Sequence, residues 1–249
     1  MVKPHYDLEK IKFVVDEATF KKATDLYESG KVTAFKDNGF TYTATVLGTQ
    51  PYQVIVSNKH FYEGNCECYL GQNDTLCKHM IAVAIYGVAR GEKLDEEDKR
   101  QITKPASSGI LGELKKEDLS SIKKEMSHAV SFVKYYSGPS RTWFAYQNSL
   151  TEGCNRLSTI VTKMPIGGET ANLLIDLLLR LDKRLQSGVD DSDGTVGSFI
   201  EETVEVLKEY TRLDQNLTKC FKKLVGIQTC FGWEESLVKM LSSDNENKL

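Results

Sequence analysis

The sequence predicts an α+β protein in two parts. A small module of helix, three-stranded antiparallel meander and second helix comes first, and an all-α helical bundle follows. Three observations carry this. Residues 40–56 alternate apolar and polar side chains with a period of two, as strands with one buried face do. Immediately afterwards four residues with sulfur or imidazole donors, Cys66, Cys68, Cys77 and His79, crowd into fourteen positions. Beyond residue 115 the strand pattern stops, and apolar residues recur three and four apart to near the end of the chain. The expected divisions are 1–91 for the first module, 92–114 for a linker and 115–249 for the helical domain.

Within the first module, residues 16–29 read as an amphipathic helix. Phe20, Ala23, Leu26 and Tyr27 share a face, and Gly30 stands where a glycine terminates a helix. Residues 31–35 read as a strand, and Asn38-Gly39 is a strong two-residue hairpin signal. Phe40, Tyr42, Ala44 and Val46 then alternate with Thr41, Thr43 and Thr45, which places the first set on the core face. The chain turns over 48–51, and Tyr52, Val54 and Val56 repeat the alternation. Residues 78–90 close the module as a helix with an apolar stripe of Met80, Ile81, Ala84, Ile85 and Val88.

Three thiols and one imidazole form a complete tetrahedral ligand set for zinc. Cys66 and Cys68 point the same way only in extended chain, where residues two apart share a face. Cys77 just ahead of the closing helix and His79 in its first turn would then converge on the same ion. Gly64, Asn65, Gly71, Asn73 and Asp74 offer the turn chemistry such a knuckle needs. Four protein ligands leave no open coordination position, so one structural Zn²⁺ is expected and no catalytic one. A zinc staple also suits a module this small, which buries limited apolar surface.

The pattern Cys-x-Cys, short spacer, Cys-x-His and apolar helix resembles the SWIM zinc finger. The resemblance extends upstream through Tyr27-Glu28-Ser29-Gly30-Lys31-Val32, and covers roughly residues 16–91. It implies a zinc site at all four positions and a role in DNA binding or in protein–protein interaction. SWIM fingers often accompany helicase-like ATPases, so the resemblance also implies an ATPase-type protein partner. The expected function is a non-enzymatic adaptor whose finger engages DNA and whose helical domain docks a protein. The alternative is a protein–protein scaffold that never touches nucleic acid.

In the helical domain, Ile122, Met126, Ala129 and Val133 space out a helix ending near Gly138-Pro139. Another lies between 140 and 163. Ala171, Leu174, Ile175, Leu178, Leu181 and Leu185 define the clearest helix, ending at Ser187-Gly188. Phe199, Ile200, Thr203, Leu207 and Tyr210 mark the next, with Ser198 and Glu201 spaced as a capping box. Leu213, Leu217, Phe221 and Leu224 give one more, 233–241 the last, and a polar tail over 242–249 is expected to fray. Tyr135, Tyr136, Trp143, Phe144 and Tyr146 read mainly as core. The acidic turn Asp190-Asp191-Ser192-Asp193 fails as an EF-hand, because Val189 and Ile200 occupy the first and twelfth ligand positions. It reads instead as carboxylates favouring the next helix N-terminus. A similar turn accompanies some bacterial SWIM proteins.

The composition, 40% hydrophobic and 27% charged with net charge −3, belongs to a globular protein without a polyanion-binding field of its own. Over residues 1–90 acidic and basic side chains balance at ten each, so a nucleic-acid contact has to be a local patch. Lys78, Lys59, His60, Lys31 and Lys36 are the candidates near the knuckle and meander, and Tyr69 at its tip is a candidate for a base or a partner chain. Arg90 is the sole arginine there, so base-edge readout is poorly supported. No Gly-rich phosphate loop or Gly-x-Ser-x-Gly elbow exists, and His5, His60 and His128 are isolated. Residues 1–7 show no apolar signal region, no apolar run is long enough to span a membrane, and Cys154, Cys220 and Cys230 are scattered. Together these point to a reducing cytoplasm.

Overall fold

The computed structural model of the chain describes residues 3–138 and 143–246. It divides into two compact units, Met1–Gln101 and Ile102–Leu249.

The first unit opens with α1 (Leu8–Val14), a seven-residue helix capped by Asp7, whose carboxylate accepts the Lys10 N–H at 2.7 Å. Helix α2 (Glu17–Glu28) is capped in the same way by Asp16 on the Thr19 N–H, and Gly30 beyond its end has φ +68°. Strands β1 (Val32–Asp37), β2 (Thr41–Leu47), β3 (Pro51–Ser57) and β4 (Gly64–Cys66) form an antiparallel sheet in sequence order. The three-stranded meander expected from the sequence thus gains a fourth strand. At three residues, β4 is too short to show alternation. Helices α3 (Tyr69–Gln72) and α4 (Lys78–Ala89) complete the knuckle, and α5 (Glu96–Lys99) follows.

Helix α4 is the hub. Where the sequence suggested a stripe, every residue from His79 to Ile85 is buried, and Gly87 with them. A helix apolar all round belongs inside a core, and α4 packs against α1, α2 and the sheet. Tyr42 lies so close to Gly87 that a Cβ there would meet its ring at 2.6 Å. Tyr42, Ala44 and Val46 face this core, but Phe40, expected to join them, is 78% exposed at the β1–β2 turn. The sheet's core face ends at Tyr42, so the alternation runs one position past the surface it could cover.

Residues 92–114, read as a linker, are shared between the units. Leu94 is buried, and Gln101 donates to the Lys12 and Val15 carbonyls at 2.5 and 2.6 Å, within the first unit. In the second, Leu111 bridges Ile166, and Ile166 N–H bonds the Ile110 carbonyl at 2.7 Å.

The second unit is helical: α6 (Lys116–Phe132), α7 (Trp143–Lys163), α8 (Gly168–Gln186), α9 (Thr195–Leu213), a 3-10 segment (Gln215–Leu224) and α10 (Glu235–Glu246). Its core runs from Met126 and Val130 through Leu150, Leu157, Leu174, Leu178, Ile200 and Tyr210 to Phe221 and Leu237. Helix α6 stops at Phe132, ahead of the expected end; Pro139 lies outside the described residues, as does the Phe144 side chain. Tyr146 is buried, whereas Tyr135 is 63% exposed. The expected capping box at Ser198 gives way to Asp191, whose carboxylate takes the Val196 and Gly197 N–H groups at 2.7 and 2.8 Å, so α9 starts at Thr195. Helix α10 continues through Glu246, into the tail expected to fray; residues 247–249 lie outside the described residues.

Asp190 ties the same turn to α7. It accepts the Trp143 indole N–H at 2.9 Å, its carbonyl accepts from Gln147, and its N–H donates to the Tyr146 hydroxyl. The acidic turn is a structural joint between α7 and α9.

Candidate metal centre and the basic residues beside it

Cys66 ends β4, and Cys68 is the N-terminal cap of α3, with extended backbone at φ −73°, ψ 164°. Cys77 caps α4 at φ −123°, ψ 160°, and His79 lies in that helix's first turn. All four are buried, with one donor atom from each within 4.8 Å of the others. Ligands about 2.3 Å from a tetrahedral ion sit close to 3.8 Å apart. His79 Nδ1 lies 3.7 Å from Cys66 Sγ and 3.9 Å from Cys77 Sγ, so the spacing fits such an ion. Imidazole and thiolates are zinc's preferred donors.

The surroundings prepare the sulfurs for charge. The Cys68 N–H points at Cys66 Sγ at 3.5 Å, and the Gly71 N–H at Cys68 Sγ at 3.4 Å. Cys77 is held far below the ordinary thiol range, at about 4, chiefly because it accepts a hydrogen bond from the Cys66 thiol, with help from His79 and the Met80 N–H. The same bond, with burial, pushes Cys66 up. One shared proton between Cys66 and Cys77 thus leaves a thiolate at the start of α4, the form in which cysteine binds a metal. On the far side of the imidazole, Nε2 is buried without a hydrogen-bond partner and the Tyr52 ring lies against it, centroids 4.7 Å apart. Gly48 leaves this room, since a Cβ there would meet Tyr52 at 2.9 Å and His79 Nε2 at 3.1 Å.

Residues 52–87 match the SWIM zinc finger family. The chain carries a SWIM zinc finger. No curated protein and no solved structure matches the chain. The finger's four ligands hold one structural zinc ion. The SWIM finger is a nucleic-acid or protein interaction module, and no helix among the described residues is long and apolar enough to cross a membrane.

The remaining candidate residues separate into three places. Lys31 and Lys78 line one open concavity of about 570 Å³ together with Lys22, Asp25 and Glu28. Lys22 was missed; it sits on the polar face of α2, and nothing in the sequence shows that α2 lies along the start of α4. Lys36 pairs with Thr43 on the open face of the sheet, and Lys59 and His60 follow β3. Tyr69, 80% exposed, stands with half-exposed Leu70 on α3 at the tip of the finger. Elsewhere, burial pushes the thiols of Cys154, Cys220 and Cys230 up, away from reactive thiolate.

Proposed function

We propose that the protein is a non-enzymatic, cytoplasmic adaptor whose SWIM finger engages DNA through its phosphates and whose helical unit docks a protein partner, by family analogy an ATPase. The observation that carries the reading is the meeting of Lys22, Lys31 and Lys78 around one concavity at the start of the zinc-anchored helix. Lys78 lies between two zinc ligands, so the ion would fix the backbone from which its side chain extends. Three lysines on phosphates release three counterions, and binding then weakens with salt at a log–log slope of about −2 to −3 for duplex DNA. The closed four-ligand shell and the raised pKa values of the other thiols support the non-enzymatic part.

A second reading has its own observation. The exposed Tyr69–Leu70 pair is the kind of apolar tip that seats in a protein pocket, and Asp25 and Glu28 beside the lysines temper the field. A salt titration on single- and double-stranded DNA, with zinc-loaded protein and its Lys78→Glu variant, separates the two. DNA binding whose slope falls by about one in the variant supports the first. No binding at low salt leaves the protein scaffold.

A further inference from the structure

The end of the zinc unit's sheet carries a second group of residues apart from the knuckle. Phe40 belongs by alternation to the core face, yet its ring is 78% exposed. The backbone beneath the ring is held in place. Asn58, itself buried, donates from its backbone N–H to the Phe40 carbonyl at 3.0 Å and from Nδ2 to the Gly39 carbonyl at 2.6 Å. The same residue starts the β3–β4 loop, where the Lys59 and His60 N–H groups both reach the Ser57 hydroxyl. In that loop the His60 and Tyr62 rings stack, 5.5 Å apart and 26° from parallel, and Tyr62 bonds His60 Nδ1 at 3.2 Å. One buried asparagine therefore joins the backbone under an exposed phenylalanine to a loop in which exposed His60 stacks on half-buried Tyr62.

The charges around these rings suit an anion. Lys59, next to His60 in that loop, is exposed. The hairpin's own carboxylate, Asp37, is withdrawn: its side chain is only 5% exposed, it accepts the Gly39 N–H at 2.9 Å, and Arg90 lies 3.9 Å away. Glu63 is the loop's single exposed acid. Aromatic faces flanked by lysines bind single-stranded nucleic acid, because unpaired bases offer π-faces for stacking and phosphates for the ammonium groups. A duplex hides those faces.

We propose that this end of the sheet binds single-stranded nucleic acid without sequence preference. Bases stack on Phe40 and on His60, and Lys59 meets the backbone. The proposal rests on the nucleic-acid reading above but uses none of the residues around the Lys78 concavity.

The test is fluorescence anisotropy of zinc-loaded full-length protein on oligothymidylate and on a duplex of equal length, with Phe40→Ala, His60→Ala, Lys59→Gln and Lys78→Glu compared. Phe40 is exposed, so its removal leaves the fold intact, and zinc content and circular dichroism check this. The expected result is that Phe40→Ala and His60→Ala each weaken oligothymidylate binding about tenfold at unchanged salt slope, and leave duplex binding alone. Lys59→Gln lowers the single-strand slope by about 0.7. Single-strand binding that Phe40→Ala leaves untouched while Lys78→Glu abolishes it overturns this proposal and keeps the other reading. Absence of any nucleic-acid binding overturns both, including the case in which the Phe40 surface holds a protein instead.

Discussion

Replacing Gly71 with alanine probes the zinc site where it is least able to yield. A Cβ at Gly71 would lie 2.2 Å from the Cys66 carbonyl oxygen, 2.6 Å from its Cβ and 2.8 Å from its carbonyl carbon. Carbon contacts are optimal at about 3.5–4.0 Å, so the two backbones must part by about 1 Å. Zinc–ligand distances tolerate only about 0.2 Å, and the segment being pushed ends in a ligand. Overpacking against side chains that can shift costs about 1–3 kcal/mol. Here the obstacle is main chain, so the upper end applies: about 3 kcal/mol, or more than a hundredfold in zinc affinity. Competition against a chromophoric chelator measures this, with Leu70→Ala as the neighbouring control because Leu70 is half exposed. A Gly71→Ala protein that holds zinc as tightly as its parent would refute the packing argument.

Two further outcomes follow from the same geometry. Zinc removal by chelator or acid loosens the knuckle and leaves the helical unit folded. The cysteine ligands bind zinc as thiolates, so acid competes with the ion for them and zinc affinity falls as pH drops. Hydrogen exchange reads this directly: peptides covering 64–79 gain deuterium on zinc loss while α8 and α9 do not, and equal protection of the knuckle with and without zinc contradicts it. In the second unit, Asp191→Ala removes the acceptor for the first two N–H groups it caps in α9 and costs about 1–2 kcal/mol in thermal or denaturant unfolding; an unchanged midpoint would show that water replaces the carboxylate.

The four ligands were legible because their chemistry is sparse and their spacing local: an extended Cys-x-Cys and a helix-start Cys-x-His need no tertiary information. The long strands and helices were legible for a similar reason, since each buries a periodic face. What escaped was short or set by tertiary contact. Helix α1 spans only seven residues and β4 three, too few for a period to register. Gly64 and Gly71 read as turn formers, yet neither has a positive φ. Both are required by close approach, since a Cβ on Gly64 would collide with the Ile55 carbonyl oxygen and one on Gly71 with the Cys66 carbonyl oxygen, and close approach leaves no local trace in sequence. Phe40 misled because alternation gives a residue's parity and not where the covering layer ends. The capping box at Ser198 lost to Asp191, which reaches the helix start from five residues before the first N–H it caps.

The chemistry of the knuckle explains why this unit calls for a metal. The helical unit's joints are neutralised internally: Asp191 by backbone N–H groups, and Asp182 by the Cys230 N–H and the Trp233 indole. At the knuckle, three thiols and an imidazole are buried together. Buried thiolates without a counter-charge are costly, and a divalent cation both removes that cost and joins the end of β4 to the start of α4. Lys78 follows Cys77 at the start of α4, so an ion there would hold the backbone that carries Lys78. If zinc raises the affinity of the Lys78 concavity for a ligand, that ligand raises the affinity for zinc by the same factor.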